Sequence, residues 1–313
     1  MTKLPAWFRQ EIPDETTQEL AQLLTESCVH TVCQEARCPN INHCFKNKRF
    51  TFIILGDTCT RNCRFCAVTK SANKNLALDE DEPYRISQLA KSLDLDYVVI
   101  TSVTRDDLVD GGAAIFAKTI ELIHKINPVR NTEYSEVESR ISNGVKVEVL
   151  IPDFRGKIQS IESVLNAAPF VVAHNIETVK RLYPDLRPQA DYELSLGILQ
   201  KIKELKPQIL AKSSLMLGLG ETEKEVIVAM RDLRSNRCDI LTLGQYLAPS
   251  PEHYPIKEFI SIEQFERYRD IGLGLGFKSV LSGPLVRSSY HDVPTTPRTC
   301  LPTGRGVKGL KVK

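Results

Sequence analysis

Six short apolar segments alternate with amphipathic segments from residue 50 onward, and this alternation restricts the fold more than any other feature of the sequence. The amphipathic segments, at 87–95, 113–127, 157–168, 178–205 and 222–236, have the spacing of surface helices. Six strand–helix units in series predict an α/β fold, a partial (β/α)6 TIM-like barrel rather than a sandwich. The predicted strands are Phe50–Leu55, Tyr97–Val103, Lys146–Ile151, Phe170–His174, Ile209–Leu217 and Ile240–Tyr246.

The sequence outside these units predicts extensions at both ends of the barrel that cover its site. We divide the chain into an N-terminal extension at 1–49, the barrel at 50–284 and a C-terminal segment at 285–313. Leucines at 20, 23 and 24 predict a helix in the first part that lies against the main body. A chain of 313 residues can bury one large core, so its length does not require two domains.

Charge and hydropathy exclude several functional classes. The net charge of +2 and the charged fraction of 26% describe an ordinary surface, so no nucleic-acid partner is expected. No apolar run approaches the roughly 18 residues that a membrane span needs, and the N-terminus lacks the apolar region of a signal peptide. We therefore expect a cytoplasmic protein with no membrane association.

Nine cysteines are present, and six of them lie between Cys33 and Cys66. Such clustering is typical of metal or cluster ligation in a reducing compartment rather than of a disulfide framework. The three remaining cysteines, Cys28, Cys238 and Cys300, are interpreted as small apolar fillers or exposed thiols.

A CxxxCxxC loop formed by Cys59, Cys63 and Cys66 follows the first predicted strand, which breaks at Gly56. Three thiolates can hold three irons of a [4Fe–4S] cluster and leave the fourth iron free to bind a small molecule. A zinc knuckle is the alternative, but zinc sites usually have four protein ligands and no second CxxC lies nearby. This spacing favours a cluster that is open at one iron.

A second set of three cysteines, Cys33, Cys38 and Cys44, lies upstream in a CxxxxCxxxxxC pattern. Each set is compact in sequence and the two spacings differ, which favours two separate clusters over one structural zinc site built from both. The neighbouring His43 is interpreted as a residue of loop packing, because the cysteines already supply the thiolates.

The loop CTRNCRFC, with its aromatic Phe65 after the first strand of a partial barrel, resembles the radical S-adenosylmethionine superfamily. Together with the upstream cysteines and the RSSY sequence at 287–290, the chain is similar to the lipoyl synthase family. The similarity extends from Leu4 to His291 and includes TSVTRDDLVDGG, KVEVLIPDF, AHNIET, LMLGLGET and LTLGQYLAPS. The combination is far more specific than CxxxCxxC alone.

This resemblance implies two [4Fe–4S] clusters with different tasks. The cluster at the CxxxCxxC loop would bind S-adenosylmethionine and cleave it to a 5′-deoxyadenosyl radical, a step that the cofactor rather than the protein carries. The radical would abstract hydrogen from C6 and C8 of an octanoyl chain on a carrier-protein lysine. The upstream cluster would donate the two sulfur atoms, with Ser289 of the RSSY sequence on its fourth iron and Ser288 as the weaker candidate.

The resemblance also implies contacts with S-adenosylmethionine from the strand ends. Phe65 has simple loop packing as its alternative, and Arg187 and Gln245 have surface or strand-end roles as theirs. The glycines are expected where the backbone approaches the ligand closely. The implied set is Phe65, Thr101, Asn175, Glu177, Arg187, Gly218, Gly220, Glu221 and Gln245.

The implied partners are octanoylated lipoyl carrier domains, namely E2 subunits of 2-oxoacid dehydrogenases and the glycine cleavage H protein. An electron donor such as flavodoxin or ferredoxin and an iron–sulfur carrier protein are also implied. Two features depart from the compact family pattern, a polar insertion at 128–144 and a basic tail after Tyr290 that could complement an acidic carrier. Two alternatives are a two-cluster methylthiotransferase, which would need further substrate domains, and a metal-containing binding module without turnover.

Overall fold

The computed structural model describes residues 5, 7, 8, 12–71, 76–126 and 144–291. Its main sheet has eight strands in the order β1-β2-β5-β6-β7-β8-β9-β10. Strands β2 and β5 to β10 pair in parallel, and β1 pairs antiparallel with β2. The strands are β1 His30–Thr31, β2 Thr51–Ile54, β3 Thr58–Cys59, β4 Thr69–Lys70, β5 Tyr97–Ser102, β6 Lys146–Leu150, β7 Val171–Ala173, β8 Leu210–Leu217, β9 Ile240–Gln245 and β10 Ser279–Gly283.

All six predicted strands are present, with each boundary confirmed to within one residue. The seventh parallel strand, β10, and the short β1 were not predicted. Strand β10 has the sequence SVLSG, in which only Val280 is buried, so it lacks the apolar run that identifies the other strands. The architecture is the predicted α/β partial barrel with one additional strand at its open edge.

Helices follow the parallel strands and cover the outer face of the sheet. Where helices were predicted in the described residues, helices are found, and capping explains several starts; Thr222 and Glu225 form a reciprocal capping box. The helices are α1 Glu15–Glu26, α2 Val32–Glu35, α3 Ile41–Lys46, α4 Glu82–Ser92, α5 Ala113–Ile126, α6 Ile158–Asn166, α7 Tyr183–Leu186, α8 Tyr192–Leu205, α9 Glu223–Ser235 and α10 Ile262–Gly274.

Helix α10 was missed because it packs through a glycine rather than an apolar stripe. A side chain at Gly272 would lie 2.8 Å from Val280, so α10 and β10 approach closely at this point. Apart from that glycine, only Phe265 and Tyr268 of α10 are buried. A helix with so few buried apolar residues gives a weak periodic signal.

The N-terminal segment shares one hydrophobic core with the barrel. Phe45 of α3 packs edge-on against Phe50, with ring centroids 5.9 Å apart, and Phe50 packs against Phe52 of β2 at 5.0 Å. Burial of each such side chain stabilises the fold by about 1.5–3 kcal/mol. This packing holds the second cysteine set against the amino end of β2. The proposed division at residue 49 stays a prediction.

The inner face of the sheet is crossed by residues 284–291, here called the strap. The strap leaves the carboxyl end of β10 and passes Gly244 of β9 so closely that a side chain there would lie 2.1 Å from the Val286 carbonyl oxygen. It ends beside the first residue of β5, where His291 stacks on Tyr97 with ring centroids 3.8 Å apart. The RSSY sequence therefore lies inside the partial barrel.

Two predicted features fall outside the described residues. They are the insertion at 128–144, apart from Gly144, and the tail beyond His291. None of the helices that the structure describes is both long and apolar enough to cross a membrane.

Candidate active site

A cavity of about 540 Å³ occupies the interior of the partial barrel. A complete TIM barrel fills this space with side chains, whereas here the inward-facing residues of the strands line an open chamber. The CxxxCxxC loop lines the carboxyl end of the chamber with all three of its cysteines. From the other set come Cys33 and Cys38, and from the strap come Ser288 and Ser289. Both predicted cluster sites therefore open onto one cavity.

The CxxxCxxC loop is fixed to the carboxyl end of the barrel by backbone hydrogen bonds. Its two ends pair as the parallel strands β3 and β4. The Thr60 amide donates to the Thr104 carbonyl at 3.0 Å, and the Arg64 amide donates to the Leu186 carbonyl at 2.9 Å. These bonds hold the three thiols at defined positions before any cluster binds.

A buried carboxylate fixes the turn that leads into this loop. Leu55 and Gly56 have φ angles of 70° and 84°, so the chain leaves β2 in the left-handed region. The Leu55 amide donates to the Glu82 carboxylate at 2.7 Å. Burial raises the pKa of Glu82, against the opposing effect of these amide hydrogen bonds. The predicted strand break at Gly56 is confirmed, and Glu82 is the partner that sequence reasoning missed.

Arg61 of the CxxxCxxC loop forms buried ion pairs that sequence reasoning missed. Its guanidinium donates to Asp106 at 2.8 and 3.0 Å and to Asp153 at 2.6 and 2.7 Å. Asp106 follows β5 and Asp153 follows β6, so one side chain ties the cysteine loop to two strand ends. Arg155 also contacts Asp106, at 3.1 Å. The only sequence signal was a charge between two cysteines.

Burial keeps two thiols of this loop, those of Cys63 and Cys66, in the neutral form. Burial raises the pKa of Cys66 to about 11, and nearby Cys63 and Cys59 add to the effect. Burial also raises the pKa of Cys63, although the positive charge of Arg187 opposes it. A thiol must lose its proton before it binds iron as a thiolate, so assembly of the cluster is coupled to proton release.

The second cysteine set lies at the amino end of β2. Burial raises the pKa of Cys33 to about 12, with a backbone hydrogen bond from Thr51 opposing it and the neighbouring thiols Cys38 and Cys44 adding to it. The Cys38 amide donates to the Cys33 carbonyl at 3.0 Å, which closes the loop between them. The three thiols of this set lie close enough to interact electrostatically with one another.

The strap is joined to this cysteine loop by Asn40. Its side-chain amide donates to the Leu285 carbonyl at 2.6 Å and to the Tyr290 hydroxyl at 2.8 Å. The same hydroxyl is hydrogen-bonded with Cys44. These contacts join the strap to the second cysteine loop, and Ser288 and Ser289 line the same cavity as Cys33 and Cys38.

The donor sets fit iron–sulfur clusters. Within the described ranges, no three His, Cys, Asp or Glu side chains converge closely enough to hold a single metal ion, as zinc would require. A cubane distributes its ligands over several irons, so its thiolates lie farther apart than the ligands of one ion. Each site offers three free thiols.

Polar side chains that follow β7 form one wall of the cavity, including the predicted residues Asn175, Glu177 and Arg187. Asn175 donates to Glu177 at 3.1 Å, and burial raises the pKa of Glu177 against the charge of Arg187. Three buried atoms on this wall lack a partner: His174 Nε2, Asn175 Oδ1 and Arg187 Nε. Buried polar atoms are normally paired, so this wall is shaped for a polar ligand.

His174 was missed by sequence reasoning. Its Nδ1 lies 2.9 Å from the Ile151 carbonyl oxygen and therefore donates, which leaves Nε2 as an acceptor. Burial, with the charge of Arg187, lowers the pKa of His174 to about 4, so the ring is neutral at physiological pH. The sequence signal that could have identified His174 was its position next to Asn175, a predicted ligand-binding residue.

The remaining predicted ligand contacts divide into two groups. Phe65 and Thr101 line the cavity, whereas Gly218, Gly220 and Glu221 do not. Glu221 instead accepts from the Gly218 and Leu219 amides at 2.6 and 2.9 Å and so braces its own loop.

The side chain of Gln245 also braces a loop, although its residue borders the cavity. The amide donates to the Leu217, Tyr246 and Glu258 carbonyls and accepts from the Ile260 amide. A side chain at Gly218 would lie 2.3 Å from this amide, so that glycine is required by internal packing. Cofactor contacts by Gly218, Gly220, Glu221 and Gln245 stay predictions, as do those by the residues that line the cavity.

Comparison with known proteins agrees with this site. The Radical SAM superfamily model matches residues 53–233. The lipoyl synthase of Caldanaerobacter subterraneus subsp. tengcongensis is 51% identical over 92% of this chain and 95% of its own length. The lipoyl synthase of Thermus thermophilus is 49% identical over 92% of this chain and 84% of its own. The crystal structure of methylornithine synthase shares the fold, with a TM-score of 0.51 and 14% identity over 80% of this chain and 77% of its own.

The partial barrel and the CxxxCxxC loop at its carboxyl end define a radical S-adenosylmethionine enzyme. Within that superfamily, the chain belongs to the lipoyl synthase family. It is thus a radical enzyme that inserts sulfur, and it uses S-adenosylmethionine and two [4Fe–4S] clusters.

Proposed function

We propose that Cys59, Cys63 and Cys66 hold the cluster that binds S-adenosylmethionine, and that the second cysteine set with Ser289 holds the sulfur-donating cluster. The observation that carries this assignment is the single cavity onto which the first loop, Cys33, Cys38 and Ser289 open. The second set comprises Cys33, Cys38 and Cys44. The reaction is insertion of sulfur at C6 and C8 of a protein-bound octanoyl-lysine.

When bound, the cofactors supply a primary carbon radical and sulfide. The chain's own contribution is position and exclusion of water. Arg61 and Glu82 hold the first loop rigid through buried hydrogen bonds. The polar wall of Asn175, Glu177 and Arg187, together with His174, offers donors and acceptors that orient the polar groups of S-adenosylmethionine. The side chains of Phe65 and Thr101 complete this end of the cavity.

The middle of the cavity suits an aliphatic chain. Its wall there consists of inward-facing strand residues, including Ile53, Val99 and Leu150. Burial of methylene groups against such a wall contributes about 0.8 kcal/mol each. An octanoyl chain placed between the two cysteine sets would present its carbons to both.

We place the substrate on lipoyl carrier domains, that is, E2 subunits of 2-oxoacid dehydrogenases and the glycine cleavage H protein. Flavodoxin or ferredoxin would supply electrons, an iron–sulfur carrier would rebuild the consumed cluster, and the compartment would be the cytoplasm. Family membership supports these assignments.

Anaerobic incubation of the reconstituted protein with S-adenosylmethionine, a reductant and an octanoyl-lysine peptide tests the function. The expected products are 5′-deoxyadenosine and a peptide carrying two sulfur atoms. If 5′-deoxyadenosine forms but the peptide gains no sulfur, the substrate assignment is wrong.

Neighbouring serines supply a matched test of the ligand assignment. Both Ser288 and Ser289 line the cavity, so Ser289→Ala and Ser288→Ala remove the same atom from adjacent positions. Only Ser289→Ala is expected to change the Mössbauer signature of the second cluster and to abolish thiolation. If only Ser288→Ala changes the Mössbauer signature, Ser288 is the ligand and the assignment of Ser289 is wrong.

A further inference from the structure

The strap has no regular secondary structure, yet it crosses the inner face of the barrel. Residues on three strands contact it from that face. Lys212 of β8 donates to the Tyr290 carbonyl at 2.8 Å, Tyr97 of β5 stacks on His291, and Gly244 of β9 contacts Val286. Sequence reasoning assigned no role to these three strand residues.

Lys212 is held in place by a buried network. Its ammonium lies 2.6 Å from the Glu148 carboxylate of β6, and the Tyr97 hydroxyl donates to the same carboxylate at 2.6 Å. The side chains of Lys212 and Glu148 are each only 2% exposed. A buried ion pair is weak evidence for stability in general, but it fixes geometry when every partner is satisfied. Among the residues that the structure describes, the one backbone group outside the strands that this network binds is the Tyr290 carbonyl.

Gly244 meets a steric requirement of the same contact. The Val286 carbonyl approaches so closely that any side chain would displace the strap or the strand. The backbone at Gly244 has no positive φ, so conformational freedom does not explain the glycine.

We infer that Lys212, Glu148, Tyr97 and Gly244 form a seat inside the barrel that positions the strap, so that Ser289 faces the second cysteine set. This inference rests on the proposed role of Ser289. The seat residues act through the strap, and they are positioning residues for sulfur insertion. Asn40 fixes the strap to the cysteine loop, and the seat fixes it to the barrel. Together these contacts fix the strap between the second cysteine loop and the inner face of the barrel.

Hydrogen exchange and Mössbauer spectroscopy of the reconstituted protein test the seat. Gly244→Ala disturbs it without changing charge, and Lys212→Met with Glu148→Gln removes the ion pair without leaving one charge alone. Each variant is expected to speed exchange of the Tyr290 amide, which donates to the Arg287 carbonyl at 2.9 Å, by about tenfold or more. Each is also expected to shift the signature of the second cluster as Ser289→Ala does.

Two variants control for general destabilisation. Lys203→Met breaks another buried pair, in which the ammonium lies 2.8 Å from Asp239 and makes no contact with the strap. Gly197→Ala adds a methyl group at a helical position with open space around it. In both controls, the hydrogen exchange rate of the Tyr290 amide and the Mössbauer signature of the second cluster are expected to match those of the wild type.

The outcomes separate the seat from the proposed function. Wild-type strap exchange or a wild-type second-cluster signature in the seat variants would overturn the inference, even if Ser289→Ala behaves as proposed. If Ser289→Ala leaves the signature unchanged, the ligand assignment fails, and with it the inferred purpose of the seat. Faster hydrogen exchange of the Tyr290 amide in the seat variants would then show that the seat holds the strap, but not that it positions a cluster ligand.

Discussion

The guanidinium of Arg61 lies 2.6 Å from the carboxylate of Asp153, although 92 positions separate the two residues in the chain. Asp153 follows β6, whereas Arg61 lies between the first two cysteines of the CxxxCxxC loop. Both side chains are nearly fully buried, with exposed fractions of 3% for Asp153 and 7% for Arg61. The loop that is predicted to bind S-adenosylmethionine is therefore fixed by a charge pair beside its thiols.

Replacement of Arg61 is expected to destabilise the protein strongly. Arg61→Met leaves Asp153 buried without its cationic partner, and such changes lower the free energy of unfolding by about 3–5 kcal/mol. Urea denaturation of the metal-free, reduced chain measures the loss. Arg181→Met, which breaks an exposed pair with Glu225 at 2.7 Å, is the control and is expected to lower the free energy of unfolding far less. Equal losses in the two variants would contradict this prediction.

The same pair makes stability dependent on pH. Burial opposes ionisation of Asp153, but the hydrogen bonds and charge of Arg61 outweigh it and hold the pKa below its ordinary value of 3.8. The pKa of Asp106 is lowered by the same balance. A lowered carboxyl pKa contributes stability that is complete above the ordinary value and is lost as the pH falls through the folded-state value. The difference in unfolding free energy between wild type and Arg61→Met should therefore shrink below about pH 4. A difference that stays constant from neutral to acid pH would show that the charges are not responsible.

Removal of the Glu82 carboxylate is expected to loosen the turn before the cysteine loop. Glu82→Ala leaves the Leu55 amide buried without an acceptor, which costs about 1–3 kcal/mol. Glu82→Gln retains one acceptor oxygen and should lose less. Hydrogen exchange at the Leu55 amide measures the effect locally, and unchanged protection in Glu82→Ala would contradict the role assigned to this side chain.

Cysteines inside and outside the predicted ligand sets should respond differently to substitution. Burial raises the pKa of Cys238 to about 12, and its thiol donates to the Ile240 carbonyl at 3.2 Å. Cys238→Ala is expected to keep about eight irons per chain after reconstitution, whereas Cys63→Ala should keep about four. The iron and sulfide content per chain of the two reconstituted variants is measured to compare them. Loss of iron in Cys238→Ala would place that thiol at a cluster and contradict its structural role.

Much of the fold could be predicted because its signals are local. Apolar and β-branched runs such as those at 51–54 and 97–102 identify buried parallel strands. Strand β10 could not be predicted in this way, because its sequence SVLSG has no apolar run and only Val280 is buried. The predicted contacts of Gly218, Glu221 and Gln245 rested on the family resemblance and on positions at strand ends, and such positions do not distinguish a ligand contact from a loop brace.

The sequence by itself determined the barrel class and the two cysteine sets, because strand periodicity and ligand spacing depend on residues that are neighbours in the chain. The role of the serine pair was implied by the resemblance to the lipoyl synthase family. Only the tertiary structure decided that both sets face one cavity, that Arg61 joins two strand ends, and that Lys212 and Gly244 receive the strap. The physical reason is that these contacts join residues tens of positions apart. The curvature of the sheet decides which side chains point inward and meet. That orientation cannot be predicted from residues that are neighbours in the sequence.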